Sequence, residues 1–342
     1  MSGTKVTAIR KRNGKNMKAI VCTRYGPPEV LQLQEVEKPI PTNDQILIKI
    51  HAASINGSDR EGLVGKPLYA RFEGLFKPGN KILGSDIAGQ VEFAGKNNTE
   101  FQPGDEVFGE IPLYRGGFAE YVCTSGKTMA LKPVSLTFEQ AAAIPQAGVL
   151  ALRGIRENGR VQPGQKILIN GAGGSAGSFA IQLAKLYGAE VTGVDNAGKL
   201  DFMRSLGADH VVDYSREDFT KSGKQYDLIL DLMAHRSVFA CQRALRPNGT
   251  YFLVGGSLAV IFQILLLGPW IKRTTTKAIR ILAVPQNRKD LISITELVEA
   301  GKIVPIIDRR YSLSQVPEAL RYVGEGRAKG KVVIVVEQNN KT

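Results

Sequence analysis

Residues 166–170 (KILIN) form an unbroken β-branched and apolar run, the signature of a strand buried on both faces. Ala176, Phe179, Ala180, Leu183 and Leu186 then recur at helical spacing, so the next segment carries one apolar face. The alternation continues downstream. It predicts strands over 190–194, 210–214, 226–232, 250–255 and 278–284, with helices over 199–206 and 237–245. Six strands alternating with helices predict an α/β fold built on a doubly wound parallel sheet.

Upstream the pattern is different. Short strands are predicted over 17–23, 45–53, 87–92 and 118–124, separated by the turn signals YGPPEV, KPIPTND, KPGNK and QPGDEV. This reads as a β-rich domain, a partly open barrel. After residue 284 the pattern gives a helix over 290–300, a strand over 302–308, a helix over 314–323 and a strand over 331–336. The expected organisation is a flexible tail over 1–16, a β-rich domain over 17–143, a parallel-sheet domain over 144–287, and a C-terminal return to the β-rich domain over 288–342. The substrate would then lie in the cleft between the domains.

Between the first strand and helix of the parallel sheet stand Gly171, Gly173, Gly174 and Gly177. Each adds unfolded-state entropy, so the fold must need them. A strand, a glycine turn and a helix together make a dinucleotide fingerprint: a tight turn, a backbone bare enough for a pyrophosphate to approach, and a helix N-terminus with free amides. Two registers fit, Gly171/Gly173/Ala176 and Ala172/Gly174/Gly177. Asp195 closes the next strand eighteen residues after Gly177, near the spacing of about 20 expected of a ribose-binding acid.

Composition narrows the remaining choices. The chain of 342 residues is long enough for two domains, and its three cysteines are odd in number and far apart, which fits a reducing compartment. Residues 1–16 are polar and basic and carry no apolar signal core, so a cytoplasmic location is expected. The net charge of +13 raises nucleic acid and membrane as partners. Lysines and arginines are spread along the chain and no nucleic-acid-binding signature appears, so no nucleic acid is expected. The longest apolar run, 258–270 (LAVIFQILLLGPW), would extend only about 20 Å as a helix, short of a bilayer core of about 30 Å. It cannot span. With the cations that follow it, the stretch 258–271 remains open as a peripheral membrane contact, a subunit contact or a cover over the substrate pocket.

The order YGPPEVLQLQEVEKPIP, ASINGSD, GSDIAGQVEFAG, FQPGDEVFG, GGFAEYV, the glycine fingerprint and SLGADHVVDY resembles the medium-chain dehydrogenase/reductase superfamily over residues 17–336, and most closely its zinc-independent quinone oxidoreductase and enone reductase branch. The resemblance implies a Rossmann nucleotide-binding domain joined to a GroES-like catalytic domain, and a homodimer. Zinc-dependent members place a cysteine where this chain has Asn56, and a histidine and glutamate where it has Ser85 and Asp86. Asn and Ser are poor zinc ligands, and three scattered cysteines cannot build a structural zinc lobe, so the chain should bind no metal. His51 lies in a predicted strand, where it reads as structural.

The implied reaction is hydride transfer to a quinone or to the activated C=C bond of an α,β-unsaturated carbonyl, whose developing oxyanion hydrogen-bond donors can stabilise. The resemblance places Asn56 and Asp59 on the catalytic side, although each also reads as a turn or cap residue. It places Gly174, Ser175, Ala176, Gly177, Asp195, Asn196, Lys199, Tyr214, Val254 and Gly255 around the cofactor. Asp195 favours NADH, whereas Lys199 and Tyr214 match positions that hold the 2′-phosphate of NADPH, to which Asn196 could donate; the expectation is NADPH with NADH accepted, and Asp195 turned outward. Leu150 replaces a threonine common near the nicotinamide. Tyr69 and Tyr114 lie in loops beside the cleft, and no strong general acid is evident. Two alternatives stay open: a cofactor-binding regulatory protein, and alcohol dehydrogenase-type activity.

Overall fold

A computed structural model describes residues 16–71 and 74–337, so the expected tail over 1–16 lies almost entirely outside the described residues. The N-terminal part contains strands β1 (Asn16–Cys22), β2 (Leu31–Glu37) and β3 (Ile46–Ile55), helix α1 (Gly57–Val64), and strands β4 (Asp86–Ala94), β5 (Glu106–Glu110), β6 (Tyr121–Thr124) and β7 (Met129–Leu131). Strand β3 is its axis. It pairs with β4 and β6, and Ile46, Ile48, Ile50, Ala52, Ala53 and Ile55 are all buried, because sheet neighbours and helices cover both faces. Strands β2, β5 and β7 were not expected: β5 spans five residues and β7 three, too few to show a clear period.

Helices α2 (Phe138–Ala142) and α3 (Pro145–Leu152) lead into the second layer system. Here β8 (Lys166–Asn170), α4 (Ser175–Leu186), β9 (Glu190–Asp195), α5 (Leu200–Ser205), β10 (His210–Asp213), β11 (Tyr226–Asp231), α6 (Val238–Arg243), β12 (Leu245–Leu253), α7 (Leu258–Thr274) and β13 (Ala278–Ile281) follow in order. The six strands are parallel in the order β10-β9-β8-β11-β12-β13. This is the doubly wound arrangement, and its connectivity reverses between β8 and β11, where such sheets bind ligands beyond the carboxyl ends of the strands. At that switch point Asn170 Nδ2 donates to Asp231 Oδ1 at 2.7 Å and Tyr251 Oη–H to Asp231 Oδ2 at 2.8 Å, tying three strand ends together. Strand β12 ends earlier than expected because Gly255 and Gly256 take φ of 69° and 135°.

The chain closes with α8 (Arg288–Glu299), β14 (Ile307–Ser312), α9 (Val316–Gly324) and β15 (Lys331–Val335). The strand expected over 302–308 forms later, beyond Pro305, which has no N–H to offer a ladder. Strand β15 pairs antiparallel with β3, from Val332 opposite Ile55 to Val335 opposite Ala52, so the C-terminus completes the N-terminal sheet. One apolar cluster joins Ala52, Ala88, Phe108 and Val333 of that sheet to Ile167, Phe179 and Leu230 of the parallel one through α3.

Candidate functional site

The glycines divide the work of the β8–α4 turn. Gly171 takes φ 83°, which an L side chain rarely adopts. A Cβ on Gly177 would lie 2.4 Å from the Gly171 carbonyl oxygen and 2.5 Å from Ala172 Cα, so this glycine lets helix and strand touch. A Cβ on Gly174 would meet nothing nearer than the Gly171 oxygen at 3.4 Å. Its glycine therefore answers to no neighbour within the protein, and the space in front of it is open. These roles select the register Ala172/Gly174/Gly177. Gly174 is the N-cap of α4 and no side chain caps the helix, leaving the amides of Ser175, Ala176 and Gly177 directed at that space. The residues fit a pyrophosphate.

Asp195 is buried and does not turn outward. Two amides hold it: Gly173 N–H donates to Oδ2 at 3.0 Å and Asn196 N–H to Oδ1 at 2.8 Å. Lys199 Nζ, also buried, lies 3.5 Å from Asp195 Oδ1, and its aliphatic stem covers Gly173, where a Cβ would stand 2.7 Å from Lys199 Cδ. Asn196 Nδ2 donates to the Gly326 carbonyl at 3.2 Å, a link from the parallel sheet's edge of the site to the turn before β15. Tyr214 is 54% exposed beside this group, its amide bonded to the Asp195 carbonyl at 3.2 Å.

Across the cleft, Asn56 is the N-cap of α1 and Asp59 its third residue, and Asn56 N–H donates to Asp59 Oδ2 at 2.8 Å. Both are buried. The Asn56 amide is held from both ends: Lys331 Nζ donates to Oδ1 at 2.7 Å, and Nδ2 donates to Ser85 Oγ at 3.2 Å. Lys331, with no exposed surface, pairs with the equally buried Asp86 at 3.3 Å. Asp86 also accepts from Gln146 N–H at 3.2 Å, and Gln146 Nε2 donates to Glu110 Oε1 at 2.7 Å. Burial pushes the Asp59 carboxyl up to about 7, and burial with the nearby Asp86 pushes Glu110 up to about 7.

Sequence reasoning passed over Lys331, Glu110 and Glu61. Lys331 stands 275 residues from Asn56, and nothing local marks its side chain as internal. Glu61 of α1 reaches the cleft, with Oε1 4.0 Å from where a Gly255 Cβ would be, so α1 and the end of β12 face each other there. Burial raises the Glu61 carboxyl, and Tyr69 Oη–H donates to its Oε2 at 3.4 Å; burial and Glu61 push the Tyr69 hydroxyl up to about 12. Val254 N–H is bonded to the Asp231 carbonyl at 2.9 Å, which leaves Val254 and Gly255 at the carboxyl end of the sheet with the glycine turn. Leu150 packs half-buried on the shared core. His51 stacks on Phe138, ring centroids 4.3 Å apart, away from this cluster, and the side chain of Tyr114 lies outside the described residues. A separate pocket of about 470 Å³ beside α1, lined by Tyr25, Arg60, Lys66 and Arg71 among others, contains none of the glycine-turn residues.

The donor set does not suit a divalent cation: where zinc-dependent relatives would gather ligands, Lys331 Nζ sits among Asn56, Ser85 and Asp86. Among the described residues no group of three or more His, Cys, Asp or Glu is arranged to hold a metal.

Residues 42–134 match the family described as "Alcohol dehydrogenase GroES-like domain", and residues 206–334 that described as "Zinc-binding dehydrogenase"; the second match does not include Asn56, Ser85 or Asp86. The chain is 35% identical to 2-methylene-furan-3-one reductase of Solanum lycopersicum, covering 93% of this chain and 79% of that protein. It is 33% identical to the chloroplastic NADPH-dependent alkenal/one oxidoreductase of Arabidopsis thaliana, over 94% of this chain and 80% of that protein. The solved quinone oxidoreductase of Coxiella burnetii superposes with a TM-score of 0.85 at 30% identity, covering 94% of this chain and all of the other. The fold and its glycine turn define a medium-chain dehydrogenase/reductase. Within that superfamily the chain belongs to the quinone oxidoreductase and enone reductase branch.

Proposed function

We propose that the protein is a metal-independent NAD(P)H oxidoreductase that reduces quinones or the activated C=C bond of α,β-unsaturated carbonyls. The observation that carries this reading is the open glycine turn at the switch point, facing α1 across Gly255 while Lys331 fills the position of a metal. Bound NAD(P)H supplies a hydride from its nicotinamide ring. The amides of Ser175, Ala176 and Gly177 hold the pyrophosphate, with Gly174 leaving it room; Asn196, Lys199 and Tyr214 border the adenosine ribose; Val254 and Gly255 border the nicotinamide. NADPH is preferred and NADH accepted, since Lys199 already neutralises Asp195 beside the ribose.

Asn56 and Asp59 fix the start of α1, with Lys331 holding the Asn56 amide so that one Nδ2 hydrogen stays available to a substrate oxygen. Glu61 and the Tyr69 hydroxyl, side by side near Gly255, hold the proton the product takes up. The working unit is two copies of the chain in the cytoplasm, with the GroES-like part over 17–143 and 288–342 and the nucleotide-binding part over 144–287. Steady-state NADPH and NADH oxidation against a panel of quinones, enones, alkenals and simple alcohols tests the function. Turnover of the first three classes, unaffected by a zinc chelator, is expected; fast oxidation of alcohols with NAD(P)⁺ and no reduction of enones or quinones would overturn it.

A further inference from the structure

Helix α7 is apolar on both sides. Val260, Ile264, Gly268 and Ile271 are buried, facing β13 and α6. The opposite stripe is bare: Phe262, Leu265, Leu266 and Trp270 are 60%, 58%, 74% and 53% exposed, and their spacing of three and four residues aligns them along one face. A helix apolar all round is covered by something.

The charge around it says by what. Between Asp231 and Asp290 the chain carries nine lysines and arginines and no acidic residue, and cations are only slightly denser there than elsewhere. The asymmetry comes from missing acids. Arg273 continues the exposed stripe at the helix C-terminus, Lys272 adjoins it, and Arg280 with Ile281 is exposed on the neighbouring edge strand β13. Lys272, Arg273 and Arg280 enter no ion pair among the described residues. A second copy set face to face on this stripe would oppose cations with cations. An anionic lipid surface complements it.

We infer that α7 is a peripheral docking helix for an anionic bilayer, lying in the interface with Phe262, Leu265, Leu266 and Trp270 among the acyl chains and Lys272, Arg273 and Arg280 at the headgroups. The helix is not long and apolar enough to cross, so it lies along the surface. The inference does not depend on the reaction, though a lipid-soluble quinone would give the attachment a use.

Co-sedimentation of the purified full chain with vesicles tests it. Vesicles of phosphatidylcholine with about 30% phosphatidylserine should bind at least about tenfold more protein than phosphatidylcholine alone, and salt should weaken the binding. Phe262→Ser with Leu266→Ser should abolish it, and Lys272→Glu with Arg273→Glu should remove its dependence on phosphatidylserine. All four positions are exposed, so turnover of a soluble quinone should persist, which separates loss of docking from loss of enzyme. Equal binding to both vesicle types would overturn the inference. So would retained binding by the serine variant, or a parent that ignores vesicles while the serine variant falls from dimer to monomer in light scattering, since a second copy then covers the stripe.

Discussion

Asp195 accepts two amides and pairs with Lys199, and the proposed preference for NADPH rests on that arrangement. The spacing from Gly177 was enough to find Asp195 in the sequence, but not to orient it, because one of the two amides that hold it inward is that of Gly173, twenty-two residues earlier. Removing Lys199 takes away a cation and also leaves Asp195 unpaired, and both effects act against a 2′-phosphate. Lys199→Ala should therefore raise the NADPH KM several-fold, about 1 kcal/mol, and hardly change that for NADH. Adding Asp195→Asn, which keeps an acceptor for Gly173 N–H, should restore much of the NADPH affinity. If Lys199→Ala weakens both nucleotides equally, or if the parent prefers NADH by more than about tenfold, Asp195 serves the ribose and the NADPH assignment is wrong. Lys331 and Glu61 were illegible for a different reason: a lysine at the start of a strand, or a glutamate in a polar helix, reads as solvated surface until residues distant in the chain cover it.

At the scale of elements, the parallel sheet was legible because strands buried on both faces read as continuous apolar runs, as in Ile167–Ile169 and Leu228–Leu230. The N-terminal sheet was legible only in its longer strands; β7 has three residues, and its pairing with β5 is set by tertiary contact rather than by a local period. The glycine turn was recognised, yet its register came from geometry, which also separates two substitutions that look alike on paper. Gly177→Ala places a methyl into the backbone of Gly171 and Ala172, an overpacking that should cost about 1–3 kcal/mol in denaturant melts. Gly174→Asp meets open space, and its carboxylate can cap α4, so the variant should melt within about 2 °C of the parent or slightly above it. That same carboxylate stands where the pyrophosphate should sit. Titration by nicotinamide fluorescence should find NAD(P)H binding weakened at least about tenfold. Binding as tight as the parent's would remove the α4 N-terminus from the cofactor site.

The whole molecule encloses, between α1, β4, β5 and β15, three carboxyls and one lysine: Asp59, Asp86, Glu110 and Lys331. One lysine cannot balance three carboxylates, and burial resolves the conflict by holding protons. With Asp59 and Glu110 both at about 7, the folded chain keeps protons that the unfolded chain releases near its ordinary carboxylate values of 3.8 and 4.5. Because the native state binds more protons in that interval, the stabilisation is full below about pH 4 and is lost as pH rises through about 7. At the acid end the sign reverses. Glu29, hydrogen-bonded by Arg321, and Asp213, hydrogen-bonded by Ser215, have lowered values, so their contribution is present above the ordinary carboxylate range and lost as pH falls below it. Stability should therefore peak near pH 5 and decline toward pH 8, opposite to a protein whose carboxylates are all paired at the surface. Urea midpoints across that range measure the slope, and Asp59→Asn should flatten it, because the asparagine carbonyl still accepts Asn56 N–H while the titrating proton is gone. A parent that gains stability from pH 5 to pH 8, or an Asp59→Asn variant with the parent's full slope, would mean that the enclosed carboxyls are ionised together and that Lys331 with its hydrogen-bond donors outweighs burial.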